Sequence, residues 1–452
     1  MSIKQHKQKP QSKAKSHSKP KRSKPQQKPR LQSKTQPKSS RSIGPYCPIE
    51  KKCGACQHLQ TPYPKQLKQK QDYLMGLFEH LIGVATVVEP ILGMDNPFYY
   101  RNKVVSPYAP GRKLKKSQAQ QNTRHKTLPY EVLCGMYKEG THIIIPSDSC
   151  LLENKNAKQV ILTIRDLMAR FNIDAYNEDT GEGFMRHAIV RVGHNSNEVL
   201  VTLVTNENIF PRAKAFTKEL VKKCPFITTV VQNINTRQTN VILGEKERTL
   251  YGPGFILDTL CNLSFRISSH SFYQVNATQT EVLYRSAINF AQLTGSEVVL
   301  DAYCGTGTIG LVAAAGLPEN PQACAKRVIG MDVVEDAIVD ARNNALHNGI
   351  ENAQFFAEDA SEFMNRLASN EETIDVLLMD PPRAGSTETF LEAAAAMNPK
   401  RIVYISCNPK TQVRDAEYLA HKGYVIKRIQ AVDMFPHTNH VESIILMEKI
   451  GG

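Results

Sequence analysis

Apolar positions along the chain change their period twice. From 60 to 90, Tyr73, Leu74, Leu77, Phe78 and Leu81 recur at the spacing of one amphipathic helix. From about 91 to 270 the texture turns to short alternating runs, at 188–192, 199–204 and 228–232, parted by Asn and Gly turns. These predict strands, with a helix near 154–171. From about 276, strands and helices alternate. Runs at 297–301, 327–332, 354–357, 374–380 and 401–406 read as strands. Helices are expected at 277–293, capped by Asn276, and at 335–348, stopped by Gly349. That alternation predicts a doubly wound α/β domain. The last two runs, 424–433 and 442–448, are joined by only eight residues. No crossover helix fits there, so the final pair should be antiparallel.

Composition changes the picture at one end. The 452 residues allow two or three domains, and no apolar run is long enough to span a membrane. No apolar signal core opens the chain, so a cytoplasmic protein is expected. The net charge of +14 belongs to residues 1–45, which carry fourteen Lys or Arg and no acid. That segment cannot bury enough apolar surface to order itself and reads as a disordered polybasic arm suited to nucleic-acid phosphates. A basic, Gln-rich loop at 113–126 reads as an exposed insertion. The expected division is therefore a tail at 1–45, a cysteine segment at 46–58, a helix at 59–90 packing on the catalytic domain, a mostly β RNA-binding domain at 91–270 and a catalytic domain at 271–452.

Three kinds of chemistry stand out. Cys47, Cys53 and Cys56 lie within ten residues, with Pro48 and Gly54 to bend the backbone, and Cys150 is a loop candidate for a fourth ligand. Four thiolates suit an iron–sulfur cluster or zinc. The second is Asp301-Ala-Tyr-Cys-Gly305-Thr-Gly307-Thr-Ile-Gly310, a glycine loop leaving one strand and opening a helix. Asp332 ends the next strand, where a carboxylate can hold both ribose hydroxyls. A nicotinamide oxidoreductase would show the same local pattern. The acidic strand end at Asp301 and the antiparallel last pair favour a class I S-adenosylmethionine-dependent methyltransferase, with a Rossmann-like sheet. Asp332 and Asp359 sit at neighbouring strand ends and can contact the ribose and the adenine amino group, and Asp380, ending the fourth strand, can accept hydrogen bonds from cofactor or base. The third is Cys407, in Ser406-Cys407-Asn408-Pro409, on the turn leaving a buried strand, where a thiol can face a cleft.

Taken together and in order, the glycine loop, Asp380-Pro-Pro-Arg383, Ser406–Pro409, and Phe435-Pro-His-Thr-Asn-His-Val-Glu442 resemble the RNA 5-methyluridine (uracil-C5) methyltransferases. So do Ser271-Phe-Tyr-Gln-Val-Asn276 and Tyr100-Arg-Asn-Lys103 upstream. The resemblance covers roughly residues 46–449. It implies Cys407 as nucleophile and Glu442 as general base. It places Gln274, Tyr303, Thr308, Asp332, Asp359 and Asp380 at cofactor-contacting positions. The cysteine set Cys47, Cys53, Cys56 and Cys150 looks like the 4Fe–4S ligands of the 23S ribosomal RNA branch; transfer RNA is the other expected target. A monomer is expected. The chain departs from the family twice: nothing in residues 1–45 can fold into an N-terminal β-barrel, and Asp332 stands where relatives often have Glu. His437 and His440 are expected to have structural roles. A noncatalytic RNA-binding protein is the reading of another class.

Overall fold

The computed structural model describes residues 46–114, 128–370 and 372–451. The basic arm, and most of the loop expected at 113–126, lie outside the described residues.

The α/β half is built on eight strands, in the order Val87–Val88, Tyr424–Val432, Glu442–Lys449, Arg401–Ser406, Val376–Met379, Val298–Ala302, Arg327–Asp332, Ala353–Ala357. The last five of these are mutually parallel. Glu442–Lys449 runs antiparallel to both of its neighbours, as the short connection requires. The parallel strands are apolar along their length because helices cover both faces. One face packs Val299, Val328, Val376, Val403 and Ile444 against the helices Ala277–Ala291 and Thr308–Ala315. The other packs Leu300, Ile329, Leu377, Ile402 and Tyr404 against Ala360–Ser369, Glu388–Ala396 and Pro409–His421. The strand order reverses between Val298–Ala302 and Val376–Met379, so the carboxyl ends of these strands diverge and leave a crevice.

The helix expected over 60–90 is shorter. It runs from Tyr63 to Phe78, with a 3-10 turn at Glu79–Leu81. Ile82 is already extended, and Val87–Val88 then adds to the sheet edge beside Arg428 and Ile429. Leu74 and Phe78 are buried in the second apolar cluster, whereas Tyr73 is exposed.

The preceding segment forms a seven-stranded sheet, in the order Ile144–Pro146, Tyr130–Tyr137, Lys103–Lys113, Met185–Val192, Val199–Thr205, Thr229–Ile234, Lys246–Tyr251. Helices Lys155–Phe171 and Ala213–Lys223 cover one face through Val160, Ile161, Ile164, Phe216 and Leu220. The alternating runs predict the strands; the second helix was not anticipated. The hairpin Ile256–Leu260 with Leu263–Ile267 is buried in the apolar cluster of Val299 and Val328, which Leu200 and Val231 of the seven-stranded sheet also join.

Candidate active site

The crevice at the carboxyl ends of the parallel strands is a cleft of about 1220 Å³. Its walls include all eight proposed catalytic and cofactor residues: Gln274, Tyr303, Thr308, Asp332, Asp359, Asp380, Cys407 and Glu442.

At one end lies the glycine loop. Tyr303 and Gly307 adopt the left-handed region, with φ of 63° and 76°. A Cβ on Gly307 would sit 2.9 Å from the Phe355 ring, so only glycine lets the turn close over the sheet. Gly310 packs on Asp301, where a Cβ would lie 2.6 Å from Oδ2. Asp301 itself is buried beneath the loop, not on the cleft wall. Burial pushes its carboxyl well above the usual range, against the pull of the Gly310 amide. Asp332 Oδ2 accepts from Gly305 N at 3.0 Å and its Oδ1 from Val334 N at 3.0 Å. Each oxygen keeps a lone pair for a ligand. Asp359 caps the helix Ala360–Ser369, its Oδ1 accepting from the amides of Ser361 and Glu362. The Thr308 hydroxyl meets Tyr284 OH at 2.8 Å, and Tyr303 OH lies 3.4 Å from Ser386 Oγ. A glycine cradle ringed by carboxylates fits a ligand with a ribose and a positive charge.

At the other end stand Cys407 and Glu442. Register explains their meeting across thirty-five residues of sequence. Ser406 pairs with Ser443 in antiparallel strands, so the next residue out, Cys407, reaches the level of Glu442. Cys407 is half-buried; Glu442 is 4 % exposed. Burial pushes the Cys407 thiol up, the Glu442 and Asp380 carboxylates push the same way, and Arg383 opposes them by charge and hydrogen bond. Burial, then Asp380, raises Glu442 to about 8, with Arg383 pulling it down. Burial alone raises Asp380 to about 7. Buried Glu442 and half-buried Asp380, whose charge acts on it, do not both ionise readily. The Glu442 carboxyl thus holds its proton well above the usual carboxylate range.

The turn that presents the thiol is held tightly. Asn408 N donates to Ser406 Oγ (3.0 Å), and Asn408 Nδ2 donates to Arg383 O (2.9 Å). The side chain that would cap the helix Pro409–His421 instead ties the Cys407 turn to the Asp380–Arg383 turn. Buried Asp415 accepts from Tyr404 OH (2.7 Å) and Ser386 N (2.8 Å), joining strand, helix and loop.

The loop leading to Glu442 is gripped from the N-terminal segment. Gln66 Oε1 accepts from His437 N at 3.0 Å, and its Nε2 lies 3.1 Å from His437 Nδ1. His437 stacks on Phe98 at 4.7 Å, and its carbonyl accepts from the amides of Gln57 and His58. Buried Lys70 donates to Asp433 Oδ1 at 2.6 Å and to Phe435 O at 3.1 Å. His437 is a packed loop residue, and its ring is lowered by burial.

Cys47, Cys53, Cys56 and Cys150 line one small pocket with Arg101 and Glu153. All four are free thiols. Burial, then the neighbouring Cys150, pushes Cys56 up to about 12. Among the described residues, no set of three or more His, Cys, Asp or Glu side chains is placed to hold a metal ion.

Arg383, Asp415, Gln66 and Lys70 carry parts of this site that sequence reasoning did not assign. Arg383 stood in a motif already singled out. Nothing local to Asp415, Gln66 or Lys70 marks them, since their partners lie far away in the chain or on another element.

The parallel sheet with its antiparallel strand, the glycine loop and the ring of carboxylates define a class I S-adenosylmethionine-dependent methyltransferase. Residues 164–450 match the family described as tRNA (Uracil-5-)-methyltransferase. An uncharacterized RNA methyltransferase of Staphylococcus epidermidis is 41% identical over 91% of this chain and 85% of its own. One from Halalkalibacterium halodurans is 39% identical over 89% and 82%. Among solved structures, the tRNA (uracil-54, C5)-methyltransferase of Pyrococcus abyssi, in complex with S-adenosyl-L-homocysteine, is 27% identical. It covers 87% of this chain and 84% of its own, with a TM-score of 0.65. The chain belongs to the tRNA (uracil-5-)-methyltransferase family and is an RNA methyltransferase. Among the described residues no helix is long and apolar enough to cross a membrane.

Proposed function

We propose that this enzyme methylates C5 of a uridine in 23S ribosomal RNA, through a covalent bond between Cys407 and C6 of the base. The observation that carries the reading is the cleft itself, with Cys407 and Glu442 at one end and the glycine loop with Asp332 and Asp359 at the other.

C5 of uracil is a weak nucleophile. Addition of the Cys407 thiolate at C6 turns the ring into an enolate whose C5 attacks a methyl group. S-adenosylmethionine would supply that methyl from its sulfonium, the carbon–sulfur bond breaking to leave the neutral thioether S-adenosylhomocysteine. Tyr303, Thr308, Asp332 and Asp359 would hold it, Asp332 at the ribose and Asp359 at the adenine amino group. Asp380 and Gln274 line the cleft between or beside the two ends and would contact cofactor or uracil. Arg383 favours the thiolate. Glu442 then takes the C5 proton, and elimination releases Cys407. The base must leave its stack to enter the cleft.

The four cysteines would hold a 4Fe–4S cluster, or less readily zinc, and this feature favours the ribosomal branch. Their lining of one pocket supports a common centre. Transfer RNA is the second reading, favoured by the 27% identical Pyrococcus abyssi enzyme, whose own substrate class is transfer RNA. Mapping 5-methyluridine in ribosomal and transfer RNA from a deletion strain, with and without the gene restored, decides between them. Loss confined to 23S RNA supports the proposal; loss confined to transfer RNA moves the target; no loss in either refutes the reaction.

A further inference from the structure

Lys103 and Arg191 face each other across neighbouring antiparallel strands, so both side chains leave the same face of the central sheet. Arg191 is 5 % exposed and Lys103 half-buried. Directly opposed like charges repel, and withdrawal from water raises the cost. Proteins normally answer such cations with carboxylates. Here the nearby acids are already committed. Glu247 lies 3.4 Å from His270, and Asp340 accepts from Ser271 Oγ while pairing with Arg266. Burial and the Arg191 charge together push Lys103 down to about 8, with no acid pulling the other way. Arg191 Nη2 donates to the carbonyls of Ser271 (2.5 Å) and Ser269 (3.4 Å). Its Nε, although buried, has no hydrogen-bond partner among the described residues.

The carbonyls held by Arg191 belong to the segment that forms one wall of the cleft, which Ser268, His270, Ser271 and Gln274 line. Asn102, beside Lys103, binds the same segment: its Nδ2 donates to Gln274 O (3.1 Å) and its amide to Val275 O (2.8 Å). The two cations thus stand beside the segment that forms this wall.

We propose that Lys103 and Arg191 form a subsite for one backbone phosphodiester of the RNA, adjoining the nucleotide that enters the cleft; this rests on reading the cleft as a uridine site. A phosphodiester carries one negative charge over two free oxygens, and it can accept from an ammonium and a guanidinium at once. Such a contact fixes the register of the strand without reading sequence. It accounts for two adjacent cations that no acid among the described residues pairs with.

The test uses the full chain and a short single-stranded oligoribonucleotide containing one uridine, with binding read separately from methyl transfer. In the wild-type protein, a neutral methylphosphonate at one phosphodiester beside the uridine should weaken binding about tenfold and flatten the salt slope by about 0.7. Lys103→Met should cause a similar loss, should add little to the effect of that methylphosphonate, and Lys103→Arg should restore most of the affinity. Unchanged affinity for S-adenosylhomocysteine reports an intact fold. Silence at every methylphosphonate position with wild-type protein would overturn the subsite. So would unchanged affinity and salt slope for Lys103→Met. A protein that shows the phosphate dependence but methylates no uridine would uphold the subsite and refute the reaction.

Discussion

Glu442→Gln should make the protein more stable at alkaline pH, and the gain should vanish in acid. The Glu442 carboxyl rises from 4.5 to about 8 on folding, chiefly through burial. A raised folded value means that the native state holds the proton more tightly than the unfolded chain. Stability from this group is therefore complete below about 4.5 and falls as pH climbs through about 8. That interval corresponds to roughly 5 kcal/mol at about 1.4 kcal/mol per tenfold change in proton affinity. Sharing of charge with Asp380 and local relaxation reduce the observable part, and we expect about 2–4 kcal/mol. Glutamine keeps the shape and cannot ionise. Thermal melts of wild type and variant from acid to alkaline pH should coincide at the acid end. They should separate by several degrees at the alkaline end, with the variant higher. A gap independent of pH, or a wild type more stable in alkali, would show that Glu442 is not held as a buried neutral carboxyl.

Further outcomes can be checked alongside. Gln66→Leu strips the His437 amide of its acceptor inside a buried contact; it should cost about 2–4 kcal/mol in denaturant titration and slow turnover while cofactor affinity holds. Gly310→Val brings a Cβ to within 2.6 Å of Asp301 Oδ2; calorimetry should show S-adenosylhomocysteine affinity lowered by at least about tenfold, as the loop is displaced. Cys56→Ser should remove iron and sulfide from anaerobically purified protein and leave cofactor binding intact; wild-type protein with stoichiometric zinc and no iron would exclude the cluster.

The catalytic sheet was largely legible because its strands are buried on both faces and read as unbroken apolar runs. The antiparallel end followed from a connection too short for a helix. Cys407 and Glu442 could be singled out from motifs, but their meeting depends on the Ser406–Ser443 register, which no local pattern states. The 60–90 segment misled because its helical periodicity stops at Phe78 and Leu81, and the edge strand at Val87–Val88 is too short to signal itself. The hairpin 256–267 looks like central-sheet sequence; only its packing places it in the apolar cluster of Val299 and Val328. Arg383, Gln66 and Lys70 act through partners distant in sequence, so their parts appear only once the chain is folded.

The most direct test of the central claim is to incubate the Glu442→Gln protein with substrate RNA and S-adenosylmethionine and to analyse the denatured product by mass spectrometry. Without the base, the methylated ring should stay attached. The expected result is a protein–RNA adduct that carries one extra methyl group and maps to Cys407, and that is absent from Cys407→Ser protein. Methylated uridine formed by Cys407→Ala protein, or an adduct mapping to another residue, would contradict it.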